Sequence, residues 1–439
     1  MLWNHRCIGL AGIMALCANG CSNSGLPSAN NENNQKSGRV VKIMPGPKVQ
    51  EETQTALIKA EPGDTIEFGE GTFEFVMGLS LAKDGVTIRG QGMDKTVLSF
   101  TKQSAGKEGL LVTRGNFVIE DLTIQDTKGD AIKVNDVEGV TFRRVKAQWT
   151  GPPKETNGAY GLYPVQCRNV LIDDCVAIGA SDAGIYVGQS KNIIVRKCRA
   201  EQNVAGIEIE NSIDADVYDN VATNNAGGLL VFDLPGLQQK NGRRVRVFNN
   251  QVFANNHVNF APKGTTVSEV SPGTGVIVMA TDQVEVFENL IKDHQTQNMA
   301  IVSYHIMMKP IEDKDKDYDP YPEGIYVHDN EFANGGTKPA GQLAGLFTAL
   351  FLGKPVPDIL YDGVTPPHAP AGKKFIFLKN NGNATFANIQ WKEIPDKKGV
   401  SDAVWHGQLL KHAATRVKKD IKEYEGELPP LPPVKLPGV

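Results

Sequence analysis

A two-part repeat runs through the middle of the sequence and leaves few architectures open to it. One part is a short stretch such as Ala183-Gly184-Ile185-Tyr186-Val187; the other, such as Ile193-Ile194-Val195-Arg196-Lys197-Cys198, ends on a small or amide residue. The offset from the first part to the end of the second is 14 residues in five places: Ala131 to Val145, Gly161 to Cys175, Gly184 to Cys198, Gly206 to Asn220 and Gly275 to Asn289. Where nothing is inserted, the whole unit recurs at 22 or 23 residues, as at Gly161, Gly184, Gly206 and Gly228. Each unit holds two or three alternating strands too short to bury a face alone, so neighbouring units must stack to make a core. A leucine-rich repeat has a similar period, but its Leu-x-x-Leu-x-Leu-x-x-Asn pattern is absent and β-branched residues dominate. The expected fold is all-β: a single-stranded right-handed parallel β-helix, or solenoid, of roughly ten coils over residues 65–335.

Stacking turns equivalent positions into columns. The end of the second strand carries Cys175, Cys198, Asn220, Asn250, Asn289 and Asn330. Asn tolerates a left-handed turn and bonds to its neighbours above and below, so this column reads as a structural ladder. Cys175 and Cys198 fall one rung apart, about 4.8 Å, where a disulfide and a stacked pair of thiols are both compatible with the spacing. Cys167 has no partner in either case. No Cys-x-x-Cys pair and no Cys-x-x-Cys-His occurs, which excludes a zinc knuckle and a c-type haem attached to this chain.

Both ends of a solenoid need caps. Residues 39–64 supply one, with Val49, Thr53, Ala56, Leu57 and Ala60 on a single helical face before the helix stop at Pro62-Gly63. Residues 336–439 supply the other: an irregular region in which Leu343, Leu346, Phe347, Leu350 and Phe351 form a helical stripe, read as a capping helix because no basic face accompanies it. It closes on a Pro-rich extended arm from Pro429.

The N-terminus reads as an export signal over residues 1–20, with Arg6 ahead of a short apolar run from Cys7 to Ala18. Ala18-Asn19-Gly20-Cys21 resembles a bacterial lipobox, with Ala where Leu is usual. Cys21 is then the lipidated residue, and residues 21–38, rich in Ser, Asn and Gly, are a flexible tether. The expected location is the bacterial cell envelope, with a lipid anchor in the membrane. With 46 Lys+Arg against 50 Asp+Glu there is no basic stripe, so nucleic acid is excluded as a partner.

The opening Glu61 to Glu70 resembles that of pectate-lyase-like β-helix proteins. Tyr160 to Gln166, Ser181 to Ser190, Ala205 to Ser212 and Val231 to Leu237 resemble more specifically a family of secreted or lipid-anchored parallel β-helix repeat proteins of unknown function, often encoded beside a di-haem c-type cytochrome. The resemblance spans most of the mature chain. It implies the fold and the compartment, and raises an exported c-type cytochrome as a partner. The catalytic sets of the superfamily's enzymes do not transfer. Of the polygalacturonase set only an Asp pair is matched, by Asp173-Asp174, which reads as a solvated turn; the Asp-Pro-His-Asp of mannuronan epimerases is missing.

Strand alternation locates a candidate site without those sets. With Ile185 and Val187 facing inward, one outward column runs Lys133, Tyr163, Tyr186, Glu208, Leu230, Ile277, Val302. The next runs Asn135, Val165, Gly188, Glu210, Phe232, Met279, Tyr304, and a third Asp136, Gln166, Gln189, Asn211, Asp233, Ala280, His305. Aromatic rings beside carboxylates and amides suit a sugar's apolar faces and hydroxyls. Glu208 and Glu210 point the same way about 6.8 Å apart along the strand, within reach of paired acid–base work on a glycosidic bond. Tyr186 is a proton-transfer partner, and Lys133 or a bound Ca²⁺ would neutralise a uronate. Candidate catalytic residues are therefore Glu208, Glu210 and Tyr186. Candidate substrate-binding residues are Lys133, Tyr160, Tyr163, Gln166, Asp182, Gln189, Phe232, Asp233, Tyr304 and His305.

Insertions enter only at the two ends of this strand: Gln148 to Tyr160 and His257 to Thr274 before it, Leu234 to Arg244 and Met307 to Glu323 after it. Such loops are expected to wall a groove over the columns. The acidic run Glu312 to Asp319 has a Ca²⁺-like spacing but fails the EF-hand pattern at Tyr318 and Gly324, and its interleaved lysines balance the charge. Two functions follow. One is an envelope protein that binds, cleaves or epimerises a poly- or oligosaccharide along this face; the other, resting on the resemblance, is a non-enzymatic scaffold or partner of the cytochrome.

Overall fold

The computed structural model describes residues 38–438; Cys21, the export signal and most of the tether lie outside them. The described chain winds as a right-handed parallel β-helix. One face is an eleven-stranded parallel sheet, running from Met77–Leu81 through Ala183–Gly188, Ala205–Glu210 and Gly227–Phe232 to Phe386–Asn388. The other faces are parallel ladders of the strands that follow in each coil, such as Lys191–Arg196 and Arg199–Glu201. Ile185 aligns with Ile207, and Ile207 with Leu229, so inward residues stack into columns of like shape. They form one long core with Val187, Ile209 and Val231. Each coil is only a few residues wide, so the core exists only as a stack.

The Asn column is the ladder expected from the sequence. Asn220 donates through Nδ2 to Asn250 Oδ1 (3.0 Å), Asn250 to Asn289 (2.9 Å), and Asn289 to Asn330 (2.9 Å). Asn330 passes the bond on to Asn381 (3.0 Å). A second ladder, not anticipated, runs Asn203, Asn225, Asn255, His294 at 3.0, 2.9 and 3.1 Å. Cys167, Cys175 and Cys198 are buried free thiols, so the pair one rung apart is not a disulfide. Asp173 is not a solvated turn residue: it holds Arg196 of the next coil in a two-pronged pair at 3.0 and 2.8 Å.

The ends differ from expectation in three ways. The solenoid begins before Thr65, because Val40–Ile43 pairs in parallel with Thr65–Phe68. The helix Val49–Lys59 buries Val49, Thr53, Ala56 and Leu57, as its apolar face predicts. At the other end the ladders continue past Gly335: Ile359–Tyr361, Ile376–Lys379 and Phe386–Asn388 add further rungs. The stretch between Gly335 and Ile359 breaks the period, which hid these rungs from a repeat search. The stripe around Phe347 forms the helix Ala344–Leu350, but it does not close the solenoid. Phe347, Leu350 and Phe351 pack on Leu360 and Ala387, outward residues of the eleven-stranded sheet. The open end is covered instead by Ile421 and Tyr424, whose ring lies 4.7 Å from Phe386.

The Pro-rich arm runs back along the outside of the coils. Leu431 N donates to Glu285 Oε2 (2.9 Å), Val434 N donates to Asp216 Oδ2 (3.1 Å), and Leu436 is buried against Leu171 and Ile194. No helix among the described residues is long and apolar enough to cross a membrane.

Candidate functional site

Pairing fixes the outward columns and corrects their far end. Tyr186 aligns with Glu208, then Leu230, Ile277, Ala300 and Leu360; beside them Glu210 aligns with Phe232, Met279 and Val302. Val302 therefore stands where Tyr304 was expected, and Ala300 where Val302 was. Alternation has a period of two, so a two-residue slip keeps every inward residue inward and leaves no trace in the pattern. Asn298, which aligns one residue ahead of Met299 where earlier coils carry Gly, removed the marker that would have fixed the register. Tyr304 and His305 fall beyond the strand, in a short 3-10 turn over Tyr304–Met307.

The third column is a corner rather than a binding face. Asp136, Gln166, Gln189, Asn211 and Ala280 all have φ between 45° and 58°, the left-handed turn joining one strand to the next. Two of these side chains pin an insertion: Gln166 Nε2 donates to Gln238 Oε1 (2.7 Å), and Gln189 Oε1 accepts from Gln238 N (3.0 Å). Asp233 is fully buried, accepting from Thr281 Oγ1 (3.0 Å) and from Gly242 N. Burial pushes its carboxyl up to about 7. Tyr304 packs at 5.6 Å on Tyr318, which anchors the last insertion by donating to the Asp233 carbonyl (2.8 Å). His305 stands 5.4 Å from Tyr321 with its Nε2 buried and unpartnered, and burial lowers its pKa.

The other candidates converge. Tyr160, Asp182, Tyr186, Glu208, Glu210 and Phe232 line a cleft of about 410 Å³ over the outward face of the sheet. Its edges include segments of the predicted insertions, Thr265 to Ser271 on one side and Met307 and Met308 on the other, with Ile306 just before the latter and Leu343 and Phe347 at the far end. Tyr163 stacks behind the cleft, with rings 4.3 Å from Tyr160 and 4.9 Å from Tyr186, and Lys133 Nζ lies 4.9 Å above it.

The head of this cleft is an unusual electrostatic environment. Glu208 is 2% exposed and Glu210 7%. Tyr186 donates its hydroxyl to Glu210 Oε2, and Tyr160 donates its hydroxyl to Asp182 Oδ2 (3.1 Å). Burial is the largest influence on each acid: it pushes Glu210 up to about 7 against the pull of the Tyr186 bond, and Asp182 up to about 7 against that of Tyr160. Burial, with Asp182 and Glu210 nearby, holds Glu208 well above the usual carboxylate range. Tyr186 is raised in the same way, so its phenol keeps its proton. Among the described residues no cation offsets Glu208 or Glu210, in contrast to Asp130, which Lys133 partly relieves.

A bound Ca²⁺ finds no support in these residues. In the acidic loop Asp315 and Asp317 are already held by Lys240 at 2.9 and 2.6 Å, and Lys314 pairs with Glu312 at 2.7 Å. No group of three or more His, Cys, Asp or Glu is placed to hold a metal among the described residues. Sequence reasoning missed Gln297, Val267, Met307 and Phe347, which all line the cleft. The apolar wall residues carry no chemical signature, and their coming together depends on insertions far apart in the chain.

Residues 108–291 match the family model described as the right-handed β-helix region. No curated protein matches the chain. Among solved structures it is similar to the A-module of the Azotobacter vinelandii mannuronan C-5 epimerase AlgE4, at 17% identity and a TM-score of 0.49 over 79% of this chain and 92% of that one. It is also similar to endopolygalacturonase I from Stereum purpureum (11% identity, TM-score 0.36, 62% and 90% covered). A further similar structure is the alginate lyase from Paenibacillus sp. (14% identity, TM-score 0.33, 68% and 98% covered). At these identities the likeness is one of fold.

Proposed function

We propose that the cleft binds a saccharide and that Glu208, Glu210 and Tyr186 move protons on it. The observation that carries this reading is the convergence of two buried glutamates and the half-buried Asp182 on one end of a cleft, with no cation beside Glu208 or Glu210 among the described residues. Buried acids confer no stability when ionised, and perturbed carboxyls gathered in a cleft are what acid–base sites are built from. Burial raises both glutamates: it holds Glu208 well above the usual carboxylate range and brings Glu210 to about 7, near its midpoint at neutral pH. One acid able to give a proton and another able to take one, two residues apart on a strand, suit attack on a glycosidic bond.

The test uses protein beginning at Ser22. Its thermal midpoint is measured against neutral, amino and acidic oligosaccharides, and any stabilising sugar is incubated with enzyme and its products resolved. A sugar-specific rise in midpoint, weakened by Glu208→Gln and Tyr186→Phe, supports the reading. A panel with no response overturns it. Export and lipidation at Cys21 belong to the same proposal: the intact protein is expected in the membrane fraction and Cys21→Ala in the soluble one, and equal partition of the two refutes the anchor.

A further inference from the structure

The floor of the cleft changes character abruptly after one coil. Up to Glu208 and Glu210 polar side chains recur among the outward residues, with Lys133, Tyr163, Tyr186 and Glu208 in one column and Asn135 and Glu210 in the next; beyond them come only Leu230, Ile277 and Ala300 in one column and Phe232, Met279 and Val302 in the next. An outward face in water normally alternates with polar residues. Here three successive rungs, spanning roughly 10 Å between the first and the last, carry none in either column.

The walls follow the floor. Val267 and Val270 come from one edge, Ile306 and Met307 from the other, and Phe347 from the helix beyond. The walls are tied across the top, where Glu269 accepts from Gln342 Nε2 (2.6 Å) and lies 4.0 Å from Lys309 Nζ. Except for Phe347, which packs with Leu360, these apolar residues belong to a second hydrophobic cluster outside the solenoid core, yet they leave a space of ligand size between them. Within that lining, Gln297 is 7% exposed and its side-chain Oε1 has no hydrogen-bond partner. A buried amide oxygen left unpaired costs free energy unless a ligand hydroxyl or amide donates to it.

We infer that the ligand of this cleft is an amphiphile: an uncharged or amino-bearing glycosyl head against Glu208, Glu210 and Asp182, and an aliphatic chain along the apolar floor. The inference rests on the saccharide reading and narrows it. Charge decides the head: a uronate would bury its carboxylate where, among the described residues, no cation stands beside Glu208 or Glu210 to pair with it, and an unpaired buried charge costs free energy. The floor decides the tail, since a free oligosaccharide would lay its hydroxyls along three rungs that offer no polar side chain from below.

The experiment is a calorimetric titration of the protein from Ser22 onward with maltose, octyl, decyl and dodecyl maltoside below their micellar concentrations, decyl phosphocholine, and galacturonate oligomers. Affinity is expected to climb along the alkyl maltosides by up to about fourfold per buried methylene, with galacturonate oligomers silent. Ala300→Phe, which fills the floor, is expected to flatten that climb, and its melting curve shows whether it folds. If sugars bind but affinity in the wild type ignores chain length, the amphiphile is wrong and the saccharide reading stands. Tight binding of galacturonate oligomers also overturns it. Decyl phosphocholine binding as tightly as decyl maltoside removes the glycosyl head, and no binding by any sugar or glycoside removes both readings.

Discussion

Replacing Glu210 with Gln isolates what burial does to one carboxyl. The side chains have nearly the same shape, and the amide oxygen still accepts the Tyr186 hydroxyl. Burial raises the Glu210 carboxyl from its ordinary 4.5 to about 7. The folded chain therefore holds this proton more tightly than the unfolded one. The associated stability is fully present below about pH 4.5 and is lost as pH rises through about 7. At 1.36 kcal/mol per unit, the loss is on the order of 3 kcal/mol. Gln has no such loss, so Glu210→Gln should match the wild type at pH 4 and exceed it by that amount at pH 8.5. For a chain of this size the unfolding entropy is on the order of 0.8 kcal/mol per kelvin, which makes the gap about 4 °C in Tm. Removing the Glu210 charge also relieves Glu208 and Asp182, both of which it pushes up, and this adds to the gap with the same sign. The assay is thermal unfolding of both proteins at pH 4, 5.5, 7 and 8.5. A gap that stays constant with pH, or narrows toward alkaline pH, would refute the buried-acid account of the site.

Three further perturbations test the fold. Asn250→Ala removes the acceptor of both Asn220 bonds and the donor to Val217 O and Asn289 Oδ1; a loss of about 3 kcal/mol in urea unfolding is expected, and a loss under 1 would show the ladder to be ornamental. Protein from Ser22 onward should have the same mass with and without reductant, and its three buried thiols should react with Ellman's reagent only on unfolding. Leu436→Ala should cost about 2 kcal/mol and speed amide exchange along Leu431 to Leu436; unchanged exchange would mean that the arm does not bind the coils.

The parts of the fold that could be read from the sequence are those the stack repeats. Gly184, Gly206 and Gly228 mark the same strand position in successive coils, and each inward Ile or Val meets its equivalent one rung away. Register became illegible where a coil lost its marker, at Asn298, and where an insertion broke the period, before Ile359. The site was legible as a pairing of Tyr186, Glu208 and Glu210, because two neighbouring strands put them side by side. Its outer members were not: Gln166 and Gln189 share the direction of the site in a flat projection, but their positive φ turns them onto the corner, where they hold Gln238.

Burial itself was the least legible quantity, and it determines the chemistry. Alternation tells which residues leave the core but not whether anything covers them. Read alone, Glu208 and Glu210 describe an exposed acidic patch with ordinary carboxylates. They become proton-holding acids because insertions tens of residues downstream fold back over the strand, bringing Val267 and Met307 to the same cleft. The sign of this coverage was nonetheless present in the sequence. Leu230, Ile277 and Ala300 are apolar at successive outward rungs, a pattern that water does not tolerate over such a length unless a wall or a ligand lies above it. An outward column that turns apolar beside a pair of acids is thus a better marker of a covered site in a solenoid than the acids themselves.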